Sequence, residues 1–152
     1  MAGAAIDLAA FLAPERVAIL RGNPSRRETL ELLAGLIAAG WDEAQRTGFL
    51  AALFDRELLT TTAIGGGLAV PHARVDHLGA CRVALAIVPA GISWEARDGQ
   101  PVRIVVCIAA REQQRTEHLQ LLAAVASRLG DAARRERMLA AGEAEAVIDA
   151  LR

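Results

Sequence analysis

Two unbroken apolar runs, RVALAIVP over 82–89 and PVRIVVCIAA over 101–110, interrupt a chain whose other apolar residues recur mostly at helical spacing. Runs rich in valine and isoleucine, bounded by Gly91, Gly99 and the prolines Pro71, Pro89 and Pro101, predict strands covered on both faces, as in a sheet sandwiched by helices. Upstream, Ser25 followed three positions later by Glu28 reads as a capping box, and Leu30, Leu33, Ala34 and Ile37 then form one apolar stripe ending at Gly40. Asp42 and Gln45 repeat that start signal, with Phe49, Leu50, Leu53 and Phe54 as the buried face and Arg56 near the helix C-terminus. Residues 116–129 predict an amphipathic helix with Leu119, Leu122, Ala126 and Leu129 on the core side, Thr116 as its cap and Gly130 as its stop. Two shorter helices follow, 132–139 behind an Asp131 cap and 143–151. The expected fold is an α/β sandwich: one domain over 1–152, a small mixed sheet with helices on both faces, and a loose start at 1–5.

Composition narrows the chemistry. The 152 residues carry a formal charge of −1, which gives no basic face for nucleic acid. All the basic side chains are arginine, so no lysine Schiff base or P-loop lysine is available, and the guanidinium fork suits phosphate. Cys81 and Cys107 lie in or beside apolar runs without a CxxC partner, so they read as small buried hydrophobes and predict neither disulfide nor metal site. No run is long and apolar enough to span a bilayer, and no signal-peptide pattern opens the chain; a soluble, cytoplasmic protein is expected.

The densest local signal is TTAIGGGLAVPHARVDHL over 61–78. Three glycines, Gly65, Gly66 and Gly67, lead through a short apolar run to Pro71 and His72. Glycine permits close backbone approach, and proline fixes its own φ and restrains its neighbour, so His72 is expected on a stiff loop as a neutral, nucleophilic imidazole. Taken alone, a loop histidine is ordinarily a surface residue, Arg56 an ordinary helix-end charge, and His118 an ordinary polar residue in a first helical turn. His77 stands five residues after His72, a spacing that fits no helical zinc pair, and reads as a surface histidine.

The segment Ile64, Gly65, Gly67, Leu68, Ala69, Val70, Pro71, His72 resembles the type-2 enzyme IIA domains (fructose/mannitol/nitrogen-regulatory) of the bacterial phosphoenolpyruvate phosphotransferase system. LAPERVAIL, LFDREL and DGQPVRIVVCIAAREQQRTEHLQLLA are similar to further segments of that family and extend the resemblance over almost the whole chain. The resemblance implies a phosphotransferase component with a phosphohistidine intermediate: His72 accepts the phosphoryl group, Arg56 and His118 help handle it, and Gly65, Gly66, Gly67 and Pro71 form a loop that phosphate and partner approach. It implies no cofactor and no metal. The donor would be a phosphocarrier protein, HPr-like or its nitrogen-branch equivalent. The output would be phosphorylation-dependent binding to regulatory targets, as in the nitrogen branch that the LAPERV and DGQPV segments resemble; the alternative is relay of phosphate to the cysteine of a separate IIB component for sugar uptake. Three departures stand out: Gly66 where many members carry asparagine, which predicts a missing side-chain hydrogen bond near the site; Ala73 where glycine is frequent; and Ala110 where proline is frequent, which puts the loop before His118 in question.

Overall fold

The computed structural model describes residues 6–152; the expected loose start at 1–5 lies outside them. Strand β1 (Val17–Ile19) precedes helices α1 (Arg26–Ile37) and α2 (Glu43–Leu59). Three short strands follow, β2 (Ala63–Gly65), β3 (Leu68–Ala69) and β4 (His72–Val75), then the long strands β5 (Arg82–Ile92) and β6 (Val102–Arg111). Helices α3 (Arg115–Leu129), α4 (Ala132–Ala140) and α5 (Ala144–Leu151) close the chain. The sheet runs β1-β5-β6-β3-β2, with β4 continuing along the same side of β6 beyond β3. It is mixed, as expected: β5 pairs antiparallel with β6, whereas β1 joins β5 and β3 and β4 join β6 in parallel.

Both apolar runs are the central strands, and their alternation divides the core. Val83, Leu85, Ile87, Ile104, Val106 and Ile108 face α3, α4 and α5. Ala84, Ala86, Val88, Val105, Cys107 and Ala109 face α1 and α2. The second face is built largely of small side chains, which leaves room for the bulkier Leu33, Ile37, Phe49 and Leu53 that the two helices bring down onto it. Both capping boxes form: Ser25 and Glu28 exchange bonds of 3.0 Å in each direction, and Asp42 and Gln45 do so at 2.8 and 3.1 Å. Each N-cap contributes about 1 kcal/mol and fixes where its helix begins. Both cysteines are buried and free.

Helix α3 shows a different face from the one expected. It buries His118, Leu121, Val125 and Leu129 and leaves Leu119 66% exposed. Its N-cap is Gln114, without a side-chain bond, so Thr116 lies inside the first turn and does not cap it. The Ala110 departure does not end β6 early, because the strand continues to Arg111 with Ala110 paired to Arg74 and fully buried. No helix among the described residues is long and apolar enough to cross a membrane.

Candidate functional site

Ala69 ends β3, and at Pro71 the chain has no N–H to offer β6, so the ladder is interrupted and restarts one residue later. The interruption is pinned from both sides: the Val70 N–H donates to the Thr62 carbonyl at 3.0 Å, and the Pro71 carbonyl accepts from the Ile108 N–H at 3.0 Å. His72 is therefore not on a loop. It opens β4 in register with Ile108, half-buried, which holds the imidazole more firmly than a glycine-proline loop would. Its Nδ1 lies 2.8 Å from the Val70 carbonyl oxygen. A carbonyl only accepts, so Nδ1 carries the proton and Nε2 keeps a free lone pair.

Around His72 lies a recess of about 500 Å³ lined by Ala52, Asp55, Arg56 and Leu59 from α2, Ala73 and Arg74 from β4, and His118 from α3. Helices from opposite faces of the sheet thus meet at its edge, where β4 pairs with β6 alone. Arg56 sits in the last turn of α2 and ties one terminal nitrogen to the Thr60 carbonyl at 3.0 Å. The His118 ring stands 5.1 Å from that of His72, edge to face at 65°. Its Nε2 is buried with no hydrogen-bond partner among the described residues. Leaving such an atom unpaired costs about 1–3 kcal/mol, a debt that a bound acceptor oxygen would cancel.

Both imidazoles are held neutral. Burial pushes His72 below its ordinary 6.5, the Val70 bond opposes that, and Arg56 and Arg74 add to it. His118 is pushed down to about 4 by burial first, then by His72 and Arg74. Its neutrality comes first from burial, with the Arg74 guanidinium adding to it. Arg74 was not singled out from the sequence. Its signal was there: strand alternation places residue 74 on the same side as residue 72, but only once His72 is read as a strand residue.

Of the expected site residues, the structure brings together His72, Arg56 and His118. It does not bring the glycines. Gly66 and Gly67 are the two loop residues of the β2–β3 hairpin, with φ of +64° and +78°, the left-handed pair that such a tight turn requires. Asparagine serves the same turn, so the Gly66 departure keeps the turn's backbone geometry, and Gly66 does not line the His72 recess. The glycines line a separate recess of about 300 Å³ with Gln100, Arg103, Arg135 and Glu136. There the Gly66 N–H already donates to Asp98 at 2.9 Å, and Arg135 donates to the Leu129 carbonyl at 2.7 Å. Pro71 is buried and does not line the His72 recess. His77 packs edge-on against Trp41, 4.4 Å between ring centroids, outside the His72 recess.

A neutral imidazole with one free nitrogen, facing an unpaired histidine nitrogen and two guanidiniums, is equipped to take and hold a phosphoryl group: a nucleophile with donors for the oxygens it would carry. Sequence and fold comparisons agree. Residues 10–152 match the family model described as the phosphoenolpyruvate-dependent sugar phosphotransferase system, EIIA 2, and the chain belongs to that family. It is 32% identical over 142 residues to a "Nitrogen regulatory protein" of Pseudomonas aeruginosa, covering 93% of this chain and 92% of that one. It is 30% identical over 141 residues to a "PTS system fructose-specific EIIA component" of Haloferax volcanii, covering 92% of both. The nitrogen regulatory protein IIA-Ntr from Neisseria meningitidis shares the fold, with a TM-score of 0.85 at 24% identity over 95% of this chain and 99% of that one. The protein is thus an enzyme IIA phosphocarrier of the phosphotransferase system.

Proposed function

We propose that His72 Nε2 accepts a phosphoryl group from the phosphohistidine of a phosphocarrier protein, and that the output is regulatory, through proteins that bind the free and phosphorylated forms differently. The carrying observation is the Nδ1–Val70 bond, which leaves Nε2 as the free nitrogen of a neutral ring lining the recess. In the transfer, the bond from phosphorus to the donor imidazole breaks as the bond to His72 Nε2 forms, and the donor nitrogen keeps the electron pair. Arg56 and Arg74 neutralise the oxygens, and His118 Nε2 donates to one of them. Leu59 on the recess and Leu119 beside His118, 82% and 66% exposed, offer the carrier an apolar landing around the reacting nitrogen. The whole 152-residue chain acts as one phosphoacceptor unit in this reading.

Incubation with phosphoenolpyruvate, enzyme I and a phosphocarrier should give an acid-labile, base-stable label. Labelling that persists in His72→Ala would overturn the assignment. The regulatory output rests on the similarity to the nitrogen regulatory protein over nearly the full length of both chains. The similarity to the fructose-specific component supports the other reading, relay to a IIB cysteine. Mixing the phosphorylated protein with fructose- and mannitol-type IIB proteins separates them: rapid discharge to IIB favours relay, and a stable phosphoprotein favours regulation.

A further inference from the structure

Glu57 follows Arg56 in the last turn of α2, yet it points inward and is only 9% exposed. A buried carboxylate needs donors. It has three: the Thr62 N–H at 3.4 Å and the Trp94 indole N–H at 3.3 Å on Oε2, and the Thr62 hydroxyl on Oε1. Three separate stretches of chain therefore meet on one side chain: the end of α2, the entry to the β2–β3 hairpin, and the segment after β5.

The contacts continue from Thr62 toward the reactive ring. The Thr62 carbonyl accepts from Val70 N–H at 3.0 Å, and the Val70 carbonyl is the group that holds His72 Nδ1 at 2.8 Å. Each residue of this series is fixed by the one before it. We propose that Glu57 is the positioning residue of the phosphoacceptor site, setting the His72 tautomer through Thr62 and Val70 while anchoring the helix end that carries Arg56. The inference rests on His72 being the phosphoacceptor. Its physical logic is that of a carboxylate orienting a histidine, with two residues interposed. The Glu57 charge also raises the His72 titration slightly, opposing Arg56.

Glu57→Gln separates position from charge. Its amide oxygen can accept from the Thr62 and Trp94 N–H groups, and its amide NH2 can donate to the Thr62 hydroxyl, so the series survives without the charge. Glu57→Ala leaves those donors unpaired. Ring-nitrogen NMR at pH 7.5 should show His72 protonated on Nδ1 in the wild type and in Glu57→Gln, and mixed between Nδ1 and Nε2 in Glu57→Ala. Phosphoryl transfer should fall about 10- to 100-fold in the alanine variant, corresponding to about one charge-assisted hydrogen bond, and less than threefold in the glutamine variant. If Glu57→Ala fails to fold, Thr62→Val supplies the test: it keeps the backbone donor and should shift the tautomer ratio in the same direction by less. Unchanged ring-nitrogen shifts in a folded Glu57→Ala or in Thr62→Val overturn the proposal. A loss as large in Glu57→Gln as in Glu57→Ala also overturns it, in favour of charge. A wild-type protein that takes no phosphate would instead sink the phosphoacceptor reading, and the tautomer measurement would stand apart from it.

Discussion

Two recesses flank the same side of β6, one beside Ile104 at the glycine turn and one beside Ile108 at His72. Both contain two arginines, and the first carries the more conspicuous sequence. Their hydrogen bonding separates them. At the glycine turn the Gly66 N–H is taken by Asp98 and Arg135 by the Leu129 carbonyl. At His72 the ring offers a free Nε2, and its neighbour His118 has a buried nitrogen with no partner among the described residues. The difference teaches that glycine density marks backbone geometry, whereas unspent hydrogen-bonding capacity marks reactivity.

Substitutions that strike one recess and spare the other test that contrast. The largest effect belongs to His72→Ala, which should reduce phosphohistidine labelling to background while Arg135→Ala, in the glycine recess, leaves the label intact; loss of label in the latter would erase the distinction. Next, Arg56→Ala and His118→Ala should each slow transfer about 10- to 150-fold in rapid-quench kinetics, because a charge-assisted bond is worth about 1.5–3 kcal/mol. Gly66→Ala reverses the pattern. It forces a side chain into positive φ at a cost of about 1–2 kcal/mol and sets its Cβ 3.1 Å from the Arg135 guanidinium carbon, so denaturant melts should register it and transfer rates should not. Gly66→Asn should be milder, since asparagine suits the turn.

A smaller effect concerns pH. His118 is held at about 4 in the fold against 6.5 when free, so it binds its proton less readily folded than unfolded. The stability it contributes is complete above pH 6.5 and drains as pH falls toward 4. His118→Leu should therefore flatten the melting-temperature profile across that interval; an equally steep decline would assign the slope to other groups. Smallest of all is His77→Ala, which removes a ring from Trp41 and should leave the transfer rate unchanged.

The helices and the two central strands were legible because their signals are local: side-chain caps at Ser25 and Asp42, and runs too apolar to leave either face wet. Arg56, His72 and His118 were legible through resemblance to a family, and the structure gathers them around one recess. The buried face of α3 differs from the expected one because its sequence supports two stripes, and the helix buries His118 with Leu121 and Val125, leaving Leu119 outward. Nothing in residue spacing favours burying a histidine over a leucine; the demand arises from the recess. The glycine turn lies apart from the His72 recess for a related reason. Its closeness in sequence to His72 suggested closeness in space, but an extended chain advances about 3.3 Å per residue, and five residues from Gly67 to His72 carry it well away from the turn.

The parallel pairing of β4 with β6 also sets when the His72 recess can exist during synthesis. His72 rests on Ile108, and the imidazole it faces is at position 118, so both supports leave the ribosome after the histidine they serve. The antiparallel β5–β6 hairpin is the local unit to which the earlier strands can then dock. A nascent chain that has emerged only as far as the proline–histidine pair holds the imidazole with neither its seat nor its neighbour. The recess around His72 is thus completed only in chains translated past the start of α3, where residue 118 joins it.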